Sequence, residues 1–268
     1  MLESDWEGEI NRPTMSTLAP LGEAVKDNYP DLVANYFSID ALSCNISDGK
    51  DKSFRMNMQL GKGDFIQMFG IPLLHGDPTT AFEEPSNIII QKEVAQAFFG
   101  RTNVIGESLI LETQNANQNP TGSKEYIVSG VIDQLPENSI TDNLGERTNV
   151  YINAENMQYF RPFNLFEDWN NYIIQTRIEL QPGVTPEDLQ LPIYQLITTN
   201  TSEELAEEII PKLSSIETYN LTDQNNARLQ LIYVLAAVAG FILLMAMINF
   251  VNISLGMARR RLREIGVR

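Results

Sequence analysis

The stretch LIYVLAAVAGFILLMAMI, Leu231 to Ile248, has no polar group beyond the Tyr233 hydroxyl, and it lies inside a run without charge from Leu229 to Ala258. At about 1.5 Å per residue such a helix nearly covers a hydrocarbon core of ~30 Å, and its flanks complete the crossing. Helices buried in water-soluble proteins rarely run this long without a polar face, so the stretch is read as a membrane span. Arg259, Arg260, Arg261 and Arg263 follow at once. Positive flanks stay cytoplasmic, which puts 259–268 inside the cell and 1–227 outside the cytoplasm.

Charge divides the same way. Residues 228–268 carry six Arg and one Glu, so of 19 basic and 35 acidic residues in the chain, 13 and 34 fall in 1–227, a net of −21 against +5. A domain so acidic repels nucleic acid, which needs clustered Lys and Arg to replace phosphate counterions. It suits a soluble extracytoplasmic domain and can draw in cationic ligands such as basic peptides. Cys44 is the one cysteine, so no intramolecular disulfide forms, and it reads as a small buried apolar side chain. Met1 is followed by LESDWEGEI, which has neither a basic nor an apolar region of a signal peptide. The expectation is that a membrane segment precedes this stretch in the full protein and that further ones follow it.

The outer segment alternates short strands and helices without an internal repeat. A helix is expected over 16–29, stopped by Pro30, and strands over Tyr36–Ser43 and Ser53–Gln59, joined by a turn through Asp48-Gly49. Gly63–Phe69 reads as a short helix, followed by a turn at His75-Gly76-Asp77-Pro78. Next come a strand at Asn87–Gln91, a helix at Lys92–Phe99 stopped by Gly100, and paired strands at Glu107–Thr113 and Glu125–Ile132 around a polar loop. A strand at Thr148–Ile152 and a helix near Ala154–Phe160 close this block. Beyond it are a strand at Tyr172–Leu180, a helix at Thr185–Thr199 with Pro192 inside it, a helix at Ser202–Ile210 capped by Ser202, and a last strand at Lys212–Tyr219. The pattern predicts an α+β domain in two lobes.

Enzyme chemistry finds no footing. His75, the only histidine, supports neither a catalytic triad nor a histidine metal site and reads as a loop residue. Gly61-Lys62-Gly63 lacks the pattern of a phosphate loop. Glu83-Glu84 and Glu203-Glu204 are adjacent and point apart, and Asp48, Asp51 and Asp64 fall short of a calcium loop. Sequons at Asn45, Asn200 and Asn220 matter only in a glycosylating host. Aromatic segments at 160–166 and 169–172 read as packing between lobes. No catalytic, cofactor or metal residue is assigned.

The segment GDFIQMFGIPLLHGDPTTAFEEPSNIIIQKEVAQAFFG (Gly63–Gly100) resembles the outer core domain of MacB-like ABC transporter permeases. The resemblance continues through Asn103-Val104-Ile105-Gly106, with Val104 where proline is frequent, and through the phrase from Tyr126 to Ser139. Ile248–Asn252 and RRRLREIGVR (Arg259–Arg268) look like the second membrane helix and following segment of MacB- and FtsX-type permeases. That resemblance implies an α+β, two-lobed extracytoplasmic domain. Its porter-like β-α-β lobe is formed by 1–82 and 165–227, its inserted second lobe by 83–164, and they are followed by a transmembrane helix at 228–258 and a cytoplasmic coupling segment at 259–268. It further implies an inner-membrane permease without an ATP site or cofactor of its own. Such a permease works as a homo- or heterodimer with a cytoplasmic ABC ATPase, with a periplasmic adaptor as a further partner. ATP-driven closure then moves the outer domain, for export or efflux.

Two sets of residues are assigned to that mechanism. Asn249, Asn252 and Gly256 share one helix face and are expected to pack against another membrane helix, since polar groups at membrane depth prefer a helix to lipid. Leu262 and Ile265 lie three apart among Arg259, Arg260, Arg261, Arg263 and Glu264, and this amphipathic segment is expected to dock on the ATPase. The alternative for the arginines is topology anchoring against anionic lipid. Two other functions fit the same sequence: an FtsX-like regulator of a cell-wall hydrolase, and a sensor of cationic antimicrobial peptides.

Overall fold

The longest alternating segment, β2 (Val33–Ser47), turns into β3 (Ser53–Gly63) through Asp48. The Asp48 carboxylate accepts the backbone N–H of Lys50 at 2.9 Å and of Lys52 at 3.1 Å, and Gly49 supplies the φ of 72° that the turn requires. The computed structural model describes residues 2–6, 16–63, 65–114, 120–133, 148–161, 165–216 and 227–265. They belong to two compact units, Met1–Leu213 and Ser214–Arg268.

Four more strands close a ring on the β2–β3 hairpin: β5 (Asn87–Gln91), β6 (Ser108–Gln114), β7 (Pro120–Ile132) and β8 (Val150–Asn153). β3 pairs with β8 in parallel, β8 with β5 antiparallel, β5 with β7 in parallel and β7 with β6 antiparallel. β6 then returns to β2 through Ile46↔Leu111 and Ser47↔Ile110. Because side chains alternate across a strand, each strand sends one parity into a shared core. Cys44, Met58, Val150, Ile88, Val128 and Leu109 come from the six strands in turn, and all are buried. Helix α3 (Lys92–Phe99) adds Val94, Ala95 and Phe98 and ends at Gly100, whose φ of 69° forms the left-handed cap.

The first half of β2 leaves the ring and builds a wing. It pairs with β9 (Gln175–Leu180), and β9 meets β1 (Leu2–Trp6), which pairs with the edge strand β10 (Ile209–Leu213). Helices α1 (Leu21–Asn28), α5 (Gln190–Asn200) and α6 (Glu203–Glu208) cover one face of this wing. Their core is drawn from Leu18, Leu21, Val25, Val33, Ile178, Leu189, Ile193, Ile197 and Ile209. On the other face, α2 (Phe65–Met68) places Phe65 between Phe37 and Tyr151, with ring centroids 5.1 and 4.7 Å away. Gly61 lies beside these rings, because a Cβ there would stand 2.5 Å from Phe37 Cε2. β4 (Leu73–Gly76) edges onto β7, and α4 (Met157–Phe160) follows a 3-10 turn at Ala154–Asn156.

Most element boundaries expected from the sequence fall within a few residues of the structure. The strand at Asn87–Gln91 and the helix at Lys92–Phe99 coincide with β5 and α3. Three readings are corrected. The last strand is Ile209–Leu213, not Lys212–Tyr219, because Ile209 is drawn under α5 and Pro211 is tolerated on an edge strand. The preceding helix therefore ends at Glu208 and does not reach Ile210. His75 sits on β4, not in a loop, with Nε2 3.1 Å from Thr102 Oγ1. Pro192 does not break its helix: it occupies the third position of α5, inside the first turn, where a backbone N–H has no helical partner. β1 was missed, since its sequence has no apolar alternation and its partner lies some two hundred residues away. The polar loop between β6 and β7 (115–119), Asp64, Asn220, the phrase from Gln134 to Ser139, residues 162–164 of the aromatic segment and residues 217–219 of the expected last strand lie outside the described residues.

Candidate functional site at the exit strand and apolar helix

Helix α7 (Ala227–Ile265) runs for 39 residues, about 58 Å at the usual rise. Its segment Gln230–Ala258 has a mean hydropathy of 2.7 and is long and apolar enough to cross a membrane. Phe241, Phe250 and Ile242 on it are each about two-thirds exposed or more. In water such a surface would be costly, at roughly 25 cal/mol per Å² of apolar area. Asn249, Asn252 and Gly256 are set within about 60° of one another around the axis by the helix period, and all three belong to the described helix. A Cβ at Gly240 or Gly256 would meet no atom within 4 Å. Among the described residues the small size of these glycines serves no packing. The backbone of Arg259, Arg260, Arg261, Leu262, Arg263, Glu264 and Ile265 continues the same helix without a break.

The outer unit is held at its two ends in a narrow arrangement. β1 and β10 are antiparallel over five registered pairs, Leu2↔Leu213 through Trp6↔Ile209. Among the described residues β1 is registered with β9 at one position, Leu2↔Thr176, where this ribbon joins the main sheet. Ile209, buried beneath α5, anchors the far end of β10 in the wing core. Beside that junction, Ser38 Oγ and Thr176 Oγ1 share a buried hydrogen bond of 2.8 Å between β2 and β9.

Asp40, buried in the outer unit, is paired with Arg161. Arg161, just past α4, donates from Nε to Asp40 Oδ2 at 2.8 Å and from Nη2 to Oδ1 at 3.0 Å. Asp40 is 6 % exposed, and its burial raises its pKa although the Arg161 hydrogen bonds and charge lower it. Burial likewise pushes the Cys44 thiol up to about 12, and pushes the Tyr36 and Tyr126 hydroxyls above their ordinary value. Those groups are packing elements held in their neutral forms. His75, Glu83, Glu84, Glu203 and Glu204 stand apart from one another on β4, the turn before β5 and the first turn of α6. Among the described residues no group of three His, Cys, Asp or Glu side chains is arranged to hold a metal. The sequence located α7 by its composition; the Asp40–Arg161 pair carries no local signal, because its members are 121 positions apart.

These features define a mixed α+β domain, a ring of strands with a helical wing, followed by an apolar helix of membrane-crossing length. The family model of the MacB-like periplasmic core domain matches residues 6–193, and the chain belongs to that family. Among solved structures, a domain of a putative permease protein from Porphyromonas gingivalis is 19% identical, with a TM-score of 0.59 over 80% of this chain and 88% of that one. The periplasmic region of MacB from Actinobacillus actinomycetemcomitans is 13% identical, with a TM-score of 0.51 over 84% of this chain and 91% of the other. No curated protein matches. The chain is thus a MacB-like periplasmic domain of an ABC-type permease, a transporter class and not an enzyme class, and permeases of this kind work with ABC ATPase partners.

Proposed function

We propose that this chain is the part of a permease subunit that carries ATP-driven movement from the cytoplasm to an outer domain, for export or efflux. The observation that supports this reading best is the unbroken α7 backbone from Ala227 to Ile265. At about 58 Å it exceeds a ~30 Å hydrocarbon core by nearly half its length, so a displacement at one end reaches the other without a flexible joint. The basic end lies in the cytoplasm on this reading, where Arg259–Ile265 dock on the ATPase and Leu262 and Ile265 make the apolar part of the contact. Within the outer domain β10 is tied to β1 by five registered pairs, and β1 to β9 and β9 to β2, so a pull on β10 is shared with the sheet. Residues 83–164 are assigned to an inserted lobe. That lobe shares its core with Cys44, Ile46, Met58 and Leu60 of the β2–β3 hairpin, whereas the wing core is built from residues between Leu18 and Val33 and between Ile178 and Ile209. Asn249, Asn252 and Gly256 face a second membrane helix, in this subunit or in a dimer partner, and a periplasmic adaptor meets the outer domain.

The test is Leu262→Asp with Ile265→Asp in the full subunit, reconstituted with its ATPase. All arginines remain, so membrane orientation is expected to persist while transport and the stimulation of ATP hydrolysis are lost. Unchanged coupling in that variant would remove the docking role. Replacing Asn249 and Asn252 together with Leu is expected to weaken subunit assembly, read by crosslinking in the membrane.

A further inference from the structure

The helical layer of the wing has an outer surface to which the mechanism above assigns no residue. Helix α5 buries Ile193 and Ile197 and presents Leu191 and Tyr194 to solvent, 64% and 54% exposed. These two lie three positions apart on the face opposite the core, and Glu187, one turn earlier, is exposed as well. Helix α6 adds four exposed carboxylates, Glu203, Glu204, Glu207 and Glu208. Across the layer Tyr29, just past α1, donates its hydroxyl hydrogen to Gln195 Oε1 at 3.1 Å, which brings the exposed Asp27 and Asp31 of that end alongside α5. Between Pro186 and Glu208 the chain has no Lys or Arg. The one Lys of α1, Lys26, is occupied by the carbonyls of Val33 at 3.1 Å and Ala34 at 2.7 Å.

We infer that this layer is a docking surface for a basic, amphipathic segment of a partner protein. Single exposed apolar residues are ordinary, but an exposed Leu and Tyr on one helix face of a layer rich in exposed carboxylates match a partner with both apolar and cationic side chains. Charge decides among the occupants. A second copy of the same face, an anionic lipid surface and a nucleic acid would each meet like charge, whereas a Lys- or Arg-bearing segment gains attraction and faster encounter. The surface lies on the outer unit, so the surface and the proposed ATPase contact on α7 can fail independently.

The experiment uses the full chain in nanodiscs of zwitterionic lipid and two fluorescent peptides of identical Lys and Leu composition. One has Leu at helical spacing, and the other has the same residues scrambled. The amphipathic peptide is expected to bind saturably and more tightly, and to weaken as salt rises from about 0.05 to about 0.5 M, because the Debye length falls from about 14 to about 4 Å. Leu191→Asn with Tyr194→Asn leaves every charge in place and is expected to weaken it about tenfold or more. Bound peptide should protect Glu203 and Glu207 from carbodiimide labelling while leaving Glu83 and Glu84 reactive. Equal binding of the two peptides, an unchanged affinity in the double variant, or equal protection at all four glutamates would overturn the assignment and leave only bulk charge attraction.

Discussion

Removing Arg161 should cost the outer unit stability in a way that depends on pH with a defined sign. Arg161 meets both carboxylate oxygens of Asp40, which is 6 % exposed, while the Arg161 side chain itself is 32% exposed. In Arg161→Gln the arginine's end leaves no buried charge behind, but the Asp40 carboxylate is stranded. Two unit charges about 4 Å apart attract by roughly 4 kcal/mol at an effective dielectric constant near 20, and breaking a buried pair costs about 3–5 kcal/mol. The partial exposure of Arg161 places the expectation at the low end, about 3 kcal/mol at neutral pH. Asp40 already has a raised pKa in the folded chain, and losing Arg161 raises it further. A raised folded pKa means that the native state holds its proton more strongly than the unfolded one. Stability is therefore fully present below the ordinary carboxylate pKa and falls as pH rises through the folded value. The loss in Arg161→Gln should shrink to about 1 kcal/mol or less once Asp40 is protonated in both states. Asp40→Asn added to Arg161→Gln should recover most of the loss at neutral pH, because it removes the stranded charge. Urea unfolding of the full chain in detergent, followed by tryptophan fluorescence, reads this directly, since Trp6 and Trp169 both lie in Met1–Leu213 and α7 has none. An equal cost at pH 4 and pH 7.5 would refute the electrostatic account and leave only lost packing.

Other outcomes follow from the same structure. Cys44, buried and with its pKa pushed up to about 12, should resist thiol-reactive dyes at pH 8 in the folded chain and react only on unfolding; stoichiometric labelling under native conditions would contradict its burial. Gly63→Ala should destabilise by at least about 2 kcal/mol, since φ is 95° and an added Cβ would stand 2.2 Å from the Tyr36 carbonyl oxygen. Gly100→Ala, also at positive φ but with open space around its Cβ, should cost only about 1 kcal/mol; denaturant midpoints of the two variants make the comparison. Amides of β1 and β10 should exchange with solvent together and faster than those of the β2–β3 hairpin, because among the described residues the ribbon is registered with the main sheet at one position, Leu2↔Thr176.

Local signals wrote the parts of this fold that local physics controls. The run Asn87–Gln91 followed by Val94, Ala95 and Phe98 at helical spacing defined β5 and α3, and Gly100 fixed the stop. The thirty uncharged residues around Leu231–Ile248 defined α7. What escaped was long-range pairing. β1 has no apolar alternation of its own and is a strand because β10 lies beside it, and β10 was displaced by three residues because burial of Ile209 outweighs the local pattern after it. The closure of six strands through Ile46↔Leu111 is equally invisible along the chain, since β2 and β6 are separated by five other elements. The candidate site divides similarly: α7 and its basic end are legible from composition, whereas the Asp40–Arg161 pair and the layer of Leu191, Tyr194 and the α6 glutamates exist only once the chain has folded.

The pairing of Leu2 with Leu213 sets the two ends of the described part of this unit one interstrand spacing apart, roughly 5 Å. Strands can be lengthened and loops inserted anywhere between them without moving those two ends relative to each other. Divergence in the ring and wing is thereby uncoupled from the spacing at which the ribbon of β1 and β10 holds its ends.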